Sequence, residues 1–429
     1  MKESAKKRMK AVHRGELPET FIETGAGAIL ADWKSMPLSE ITEALSEQAG
    51  NRAFETMSIS AGIGFVNQAE KFGKELSGKQ YAKYIVLHRG DFSYNKGNSN
   101  RFPQGCIYRL EEREEAAVPN VFESFRIIEG NDDFFNQLFL SGFLNRQLCS
   151  KINHGVRDDG LLNLTSKDFY SCEVPFPPIQ EQEKIAEILS QCDNLIDLQQ
   201  EKIVELKKFK KFCLQKMFPK DGCDVPEIRF PGFTETWEQR KVGDLALDTF
   251  GGGTPSTSNE AYWNGDIPWI QSSDLTEHQV YGVIPHKHIS RAGLMNSATK
   301  LVPADSLAVI TRVGVGKLAV MPFSYTTSQD FLPLSKLQTD KWFTAYALYR
   351  KLRGELNSVQ GTSIKGITKE DLLAKKIFIP NCQEQETIGA FFSNLDHLIA
   401  LHQRELEEFQ RKKKALAHLL LSGIVRVSI

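Results

Sequence analysis

Two stretches carry the glycine content from which phosphate-binding loops are made. Phe250-Gly251-Gly252-Gly253 lacks the G-x-G-x-x-G spacing, and the Thr254-Pro255-Ser256 behind it opens no apolar helix. Arg312-Val313-Gly314-Val315-Gly316-Lys317 ends in Gly-Lys, but a phosphate loop needs glycine where Thr311 stands and Ser or Thr where Leu318 stands. Neither stretch is expected to hold a nucleotide. His286-x-His288 offers two imidazoles without a third ligand nearby, which reads as surface histidine rather than a metal centre. Carboxylates beside lysines, such as Glu370 near Lys375, are too common to mark a nuclease. An Asn-Pro-Pro-Tyr or Asp-Pro-Pro-Tyr string, the tetrapeptide of an amino-methylating site, is missing. The expectation is a chain without catalysis of its own.

Binding chemistry is better represented. Glycine-rich polar loops with isolated cations recur: Lys96 to Arg101, His154 to Arg157, Gly252 to Ser256, Gln271 to Ser273, Arg312 to Lys317 and Gly361 to Lys365. Arginine forks onto guanine, Asn and Gln onto adenine, while Ser, Thr, Lys and loop amides hold phosphates. Candidate DNA contacts are therefore Lys96, Asn98, Asn100, Arg101 and Arg157 in the first half of the chain. In the second half they are Thr254, Ser256, Gln271, Ser272, Ser273, Arg312, Lys317, Ser363 and Lys365. Any one of these taken alone is also an ordinary solvated loop residue; together they suit a DNA-facing surface.

The elements that must position these loops are set by a repeat. With a shift of 203 residues, Gln180-Glu181-Gln182-Glu183 falls on Gln383-Glu384-Gln385-Glu386 without a gap. Alternating steps of four and three from Ile185 pass through Leu189, Cys192, Ile196, Gln199, Ile203, Leu206, Lys210, Cys213 and Met217. The walk from Ile388 passes through Phe392, Leu395, Ile399, His402, Leu406, Phe409, Lys413, Leu416 and Leu420. Both walks are apolar except at the same two steps, so each predicts a long heptad helix with polar layers that fix register. Each helix runs about 38 residues, roughly 57 Å at 1.5 Å per residue.

A globular stretch precedes each helix. Trp33, Leu38 and Ile41 return as Trp237, Val242 and Leu245; Leu164-Thr165-x-x-Asp168 returns as Ile367-Thr368-x-x-Asp371. Short strands are expected at Tyr84 to Leu87, Phe92 to Tyr94, Ser124 to Ile128, Ile267 to Ile270, Ser306 to Thr311 and Lys317 to Met321. Helices are expected at about Asp132 to Ile152 and Lys341 to Leu356. Between the heads, residues 52–123 and 249–335 share nothing visible beyond turns at Gly90-Asp91 and Ala304-Asp305. The predicted fold is α/β: two similar mixed α/β heads separated by two long helices forming an antiparallel coiled coil, with a pseudo-twofold internal repeat. The expected boundaries are a basic lead at 1–32, the first head at 33–178, its helix at 179–218, a connector at 219–233, the second head at 234–380 and the second helix at 381–424.

With 429 residues, 41% hydrophobic and 25% charged, the chain has the composition of a globular protein with room for two or three domains. No apolar run suits a membrane span or signal peptide, so a cytoplasmic protein with no membrane partner is expected. Seven cysteines without a CxxC pair argue for reduced thiols. The net charge of -1 gives no support for a nucleic-acid partner, although cations gather in Met1 to Arg14. Lys6 to Ala11 followed by Gly15 echoes Lys412 to Leu416 followed by Gly423. A short helix docked beside the end of the second long helix is expected there.

These features resemble the DNA specificity subunit of type I restriction-modification systems. The resemblance rests on the doubled Gln-Glu-Gln-Glu helices, the connector Pro226-Glu227-Ile228-Arg229-Phe230-Pro231-Gly232-Phe233 running to Trp237, and Gly252-Gly253-Thr254-Pro255 with Tyr262-Trp263-x-x-Asp266-Ile267-Pro268-Trp269. It covers nearly everything from Trp33 to Gly423. It implies two target-recognition domains, each reading half of a split duplex DNA sequence, with the helices setting the spacer. It also implies two modification (methyltransferase) subunits that carry S-adenosylmethionine and clamp the helices, and two restriction subunits that use ATP and Mg. No cofactor is expected on this chain itself. The competing reading is a coiled-coil scaffold whose two heads bind proteins and which has no DNA role; divergent centres on a repeated frame count against it.

Overall fold

A computed structural model describes residues 3–14, 16–73, 78–97, 101–152, 161–220, 222–358 and 366–427. The chain forms two compact units, Met1–Leu198 with Leu406–Ile429, and Gln199–Glu405. Five helices organise them: α1 (Glu3–His13), α2 (Asp132–Leu140), α3 (Ile179–Lys216), α4 (Lys341–Ser358) and α5 (Cys382–Leu421).

In the first unit a four-stranded antiparallel sheet runs in the order Thr42–Ala44, Glu123–Ile127, Phe92–Asn95, Cys106–Arg109. The second unit repeats that order with Ala246–Thr249, Leu334–Leu337, Ser306–Val309 and Leu318–Met321. In chain order both sheets read first, fourth, second, third. The shared scaffold therefore extends into the centres, where the sequence shows only two common turns. What differs is added to it. The first unit carries the hairpin Met57–Ser60 with Gly64–Asn67, and the ribbon Ile85–His88 with Glu115–Val118. The second carries a three-stranded sheet in which Ile267–Ile270 lies between Lys287–Ile289 and Thr326–Thr327, the latter pairing parallel.

Each head is closed by a two-stranded ribbon in the same register. Pro37 faces Glu173 in the first, and Lys241 faces Lys376 in the second. The helix expected over Asp132 to Ile152 is broken into Asp132–Leu140 and Asn145–Lys151. Gly142, at φ 75°, supplies the left-handed backbone that ends the first piece.

The Gln-Glu-Gln-Glu motif fastens each long helix to its own head. Gln182 Nε2 donates to Pro177 O (2.8 Å) while its Oε1 accepts from Asn131 N (2.8 Å), the cap residue of α2. Gln385 does the same between Pro380 O (2.8 Å) and Asp340 N (3.0 Å) at the start of α4. One residue earlier, Glu181 is fully buried and takes both arms of Arg426 (3.1 and 2.7 Å) plus Trp33 Nε1 (3.1 Å). Glu384, equally buried, takes both arms of Arg229 at 2.7 Å. Such forked pairs hold a buried carboxylate in one geometry. Arg229 lies in the connector after α3 and Arg426 in the tail after α5, so connector and tail serve their units alike.

The long helices are also core. Ile185 and Leu189 join Trp33, Phe92, Phe125 and Phe169 in the first unit; Ile388 and Phe392 join Trp237, Phe343 and Tyr346 in the second. The first two positions of each heptad stripe thus serve as part of the wall of a head. Helix pairing is antiparallel, as polar contacts within each unit record: Asp193 meets Lys413 (2.5 Å) in the first, and Lys210 meets Asp396 (2.5 Å) in the second. At the polar step, Gln199 Nε2 lies 2.8 Å from His402 Nδ1 and 2.8 Å from Glu405 Oε2. At the N-terminus, Arg8 Nε donates to Ile424 O (2.8 Å) and Met9 packs on the first core. The lead thus includes a helix lying by the end of α5.

Candidate nucleic-acid interface

In the second unit the Gly252-Gly253 loop is shaped by crowding. A Cβ on Gly252 would lie 1.8 Å from Ser328 O, and one on Gly253 2.5 Å from Thr299 N. Gly253 N donates to Thr327 O (2.8 Å) and its carbonyl accepts from Trp269 Nε1 (2.9 Å). The glycines let this backbone press against its neighbours and leave Thr254 and Ser256 exposed. Thr254 Oγ1 donates to Gln329 Oε1 (2.7 Å), and Ser256 Oγ lies 2.9 Å from Ser258 Oγ.

Two further loops lie close by one another. Gln271 N donates to Asp274 Oδ2 (2.9 Å), and His286 Nδ1 sits 2.9 Å from the other oxygen of that buried carboxylate, which pins a tight turn bearing Ser272 and Ser273. Ser273 is exposed while Gln271 and Ser272 are half-buried. His286 is thus engaged in loop structure. Among the described residues no group of three His, Cys, Asp or Glu side chains could hold a metal. The Arg312–Lys317 loop turns through Gly314 and Gly316, at φ 94° and 93°. Lys317 Nζ donates to Leu275 O (3.1 Å), tying this loop to the serine turn, while Arg312 is exposed with no ion-pair partner among the described residues.

Lys287 lies outside the glycine-rich loops that carry the candidate contacts. Its ammonium lies 5.7 Å from the rings of both Trp263 and Trp269, which meet edge to face at 5.0 Å. The cation is thus held by the π faces of this pair. The signal was in the sequence as Trp263-x-x-x-x-x-Trp269, but the lysine arrives from the neighbouring strand.

In the first unit Lys96 is held by Glu123 Oε1 (2.5 Å) and Leu164 O (3.3 Å), its side chain only 13% exposed, so it braces its own loop. Arg101 is exposed, 5.7 Å from the Phe102 ring. Arg52, Arg89, Arg109, Arg113 and Arg126 are all in ion pairs, with Glu47, Glu114, Glu111 and Asp133, Glu55 and Asp91 respectively. Side-chain hydrogen bonds from Arg113 and Asn67 hold the Glu55 carboxyl below its ordinary range. Asn98, Asn100, Arg157, Ser363 and Lys365 lie outside the described residues.

Each long helix carries the same exposed apolar feature. Leu195 and Leu198 on α3 are 53% and 61% exposed, and Leu398 and Leu401, their counterparts on α5, are 39% and 44% exposed. Among the described residues no helix is long and apolar enough to cross a membrane.

Comparison with known proteins agrees with this architecture. The family described as the type I restriction modification DNA specificity domain matches residues 31–208 and again 234–411. The MjaX type I restriction enzyme specificity subunit of Methanocaldococcus jannaschii is 24% identical, over 95% of this chain and 97% of its own. The EcoR124I/EcoR124II specificity subunit of Escherichia coli is 27% identical, over 43% of this chain and 48% of its own. In fold, the chain is similar to one from a study of complex assembly and conformational transition of a type I R-M system, at TM-score 0.57 and 17% identity, covering 92% of this chain and 99% of that one. It is likewise similar to the type I S subunit of M. genitalium, at TM-score 0.54 and 13% identity, covering 90% and 96%. With the family matched twice, over most of its length, this chain belongs to the type I restriction-modification DNA specificity subunits.

Proposed function

We propose that this specificity subunit recognises its DNA target in two halves, one by each head, and that α3 and α5 set the unread spacer between them. The observation that carries the reading is the repeat: two sheets of identical strand order, closed and fastened identically, whose loops differ. A duplicated frame with unlike loops suits one task performed on two different sequences. The subunit chooses where, and catalysis belongs to its partners.

The proposed partners are duplex DNA, two modification subunits that bring S-adenosylmethionine, and two restriction subunits that bring ATP and Mg. Two copies of one modification subunit need two equivalent docking places. The leucine pairs 195/198 and 398/401, apolar and exposed at matching repeat positions, offer them. The contacting loops in the second head are those bearing Thr254, Ser256, Gln271, Ser272, Ser273, Arg312 and Lys317. In the first, Arg101 is the exposed candidate among the described residues, and Asn98, Asn100 and Arg157 are proposed with it from the sequence.

Single-molecule sequencing of host DNA, with this chain and its modification subunits co-expressed, tests the reading. The expected result is methylated adenine in a split motif that disappears when the chain is deleted. A continuous motif, or methylation indifferent to the deletion, would overturn it.

A further inference from the structure

The second unit contains a cleft of about 1170 Å³ that no recognition loop fills. One wall is the C-terminal half of α3, another is α4 from Tyr349 to Glu355, and the rim is the segment Thr276 to Tyr281. Its lining includes eight Lys or Arg residues against three acids, so it is electropositive before any pairing is considered. Pairing removes part of that excess. Lys210 is taken by Asp396, Arg353 by Glu277 (2.8 Å), and Lys216 and Lys220 both by Glu227. Lys351 lies 3.9 Å from Glu355, and Arg350 is engaged as well. Lys207 and Lys211, one helical turn apart, are exposed and without partners among the described residues.

The rim continues directly into the loops that carry the candidate base contacts. Thr276 follows the Gln271–Asp274 turn, and Lys317 crosses to Leu275 O (3.1 Å). At Gly316 a Cβ would lie 2.4 Å from Leu356 Cδ1 and 3.4 Å from Arg353 Cδ, so the Arg312–Lys317 loop leans on the same α4 wall. His278 holds the rim in place: its imidazole Nδ1 lies 2.7 Å from Tyr349 Oη, its carbonyl accepts from Lys210 Nζ (3.2 Å), and its backbone takes the costly φ of 64°.

We propose that this cleft is a phosphate seat for duplex DNA, gripping the backbone beside the half-site that the second head reads, with Lys207 and Lys211 as its contacts. This rests on the DNA reading above. Continuity with the loops selects DNA over an acidic protein segment, since a duplex lying across those loops meets the cleft next. The repeat makes the seat unequal. The counterparts of Lys207 and Lys211 are Gln410 and Lys414, so the first unit offers one cation where the second offers two.

The test uses the assembled complex with its modification subunits and fluorescently labelled duplexes of target and scrambled sequence, titrated across salt. For the double variant Lys207→Ala/Lys211→Ala, binding to both duplexes should weaken on the order of tenfold near physiological salt. The slope of log K against log salt should become shallower by about 2. The methylated motif should be unchanged, Lys207→Arg/Lys211→Arg should restore binding, and Lys208→Ala, exposed on the same helix but off the cleft, should leave it as it was. Unaltered affinity and slope, with the split motif intact, would overturn the seat while sparing the two-head reading. Failure of the folded double variant to join its modification subunits would make the cleft a protein-docking surface and overturn the proposal. A wild-type complex that binds neither duplex would defeat both readings together.

Discussion

Asp193 and Asp396 hold the same place in the two repeats, and each receives a lysine from the opposite helix at 2.5 Å, yet their surroundings differ. Asp193 also accepts from Gln137 Nε2 (2.8 Å), and the pair is open to water, its side chains 36% and 18% exposed. Asp396 accepts from Tyr346 Oη (2.6 Å), its carbonyl accepts from Tyr281 Oη (2.6 Å), and its side chain and that of Lys210 are 6% and 9% exposed. Gln137 and Tyr346 are themselves counterparts, each six residues beyond the cap of its head helix. Exchanging an amide for a phenol converts a solvated station into a buried one. Burial and the neighbouring carboxylate push the Tyr346 phenol far above its ordinary pKa, so it stays a donor to Asp396.

The value of an ion pair depends more on its walls than on its length, and the two stations let that be measured inside one chain. Asp396→Ala leaves Lys210 buried without its carboxylate and should cost about 3–5 kcal/mol. Asp193→Ala strands a lysine that can reach water and should cost about 1 kcal/mol or less. Denaturant unfolding of the two variants checks the order. Equal losses would mean that the tyrosine enclosure adds nothing.

Much of the frame was legible because it is written in periodicity. The heptads, their two polar steps, the Trp33 and Trp237 landmarks and the Gln-Glu-Gln-Glu starts all sit at fixed spacings, which a shift of 203 residues exposes. The shared central sheet was not legible. Its strands pair across long separations, Leu307 with Leu334 for example, and many apolar side chains satisfy the same pairing, so topology persists after identity has gone. The surroundings of the candidate contacts were not legible either. Lys96 looked like a free loop cation until Glu123, distant in sequence, took it up. Gly252-Gly253 read as part of a glycine-rich polar loop, and packing against Ser328 and Thr299 gives it another reason to be glycine. Lys207 and Lys211 lie off the apolar steps of the heptad walk, and only the fold brings α4 and the 276–281 rim opposite them.

The Gln199–His402 layer sharpens the comparison from the side of specificity. His402 is buried, and its Nε2 has no partner among the described residues, so this layer costs stability while fixing how the helices align. Replacing both residues together, Gln199→Leu/His402→Leu, should leave stability unchanged or raise it by about 1 kcal/mol, because no polar atom is then stranded. The expected loss is in register, read as broadened amide resonances or a mixed distance distribution between spin labels on α3 and α5. A clear destabilisation would show that the layer is itself a stabilising contact.

The smallest effect concerns pH and should appear on the side of Asp396. His278 stacks edge to face with Tyr349 at 6.5 Å between ring centroids, and Arg353 Nη2 lies 3.1 Å from its Nε2. Partial burial first, then the Arg353 guanidinium, lower its pKa; Lys210 and Lys211 act the same way, and Glu277 opposes them. A histidine with a lowered folded pKa is held neutral by the fold, whereas the unfolded chain takes up a proton near pH 6.5. Its contribution is therefore full above about pH 6.5 and declines as the pH falls towards the folded value. An NMR titration of the His278 ring should give a midpoint below 6.5, and His278→Asn should flatten the acid-side loss of stability in the second unit. Among the described residues no histidine is bonded to the Asp193–Lys413 pair of the first unit, so mild acid should loosen the rim of the second head before it touches the first.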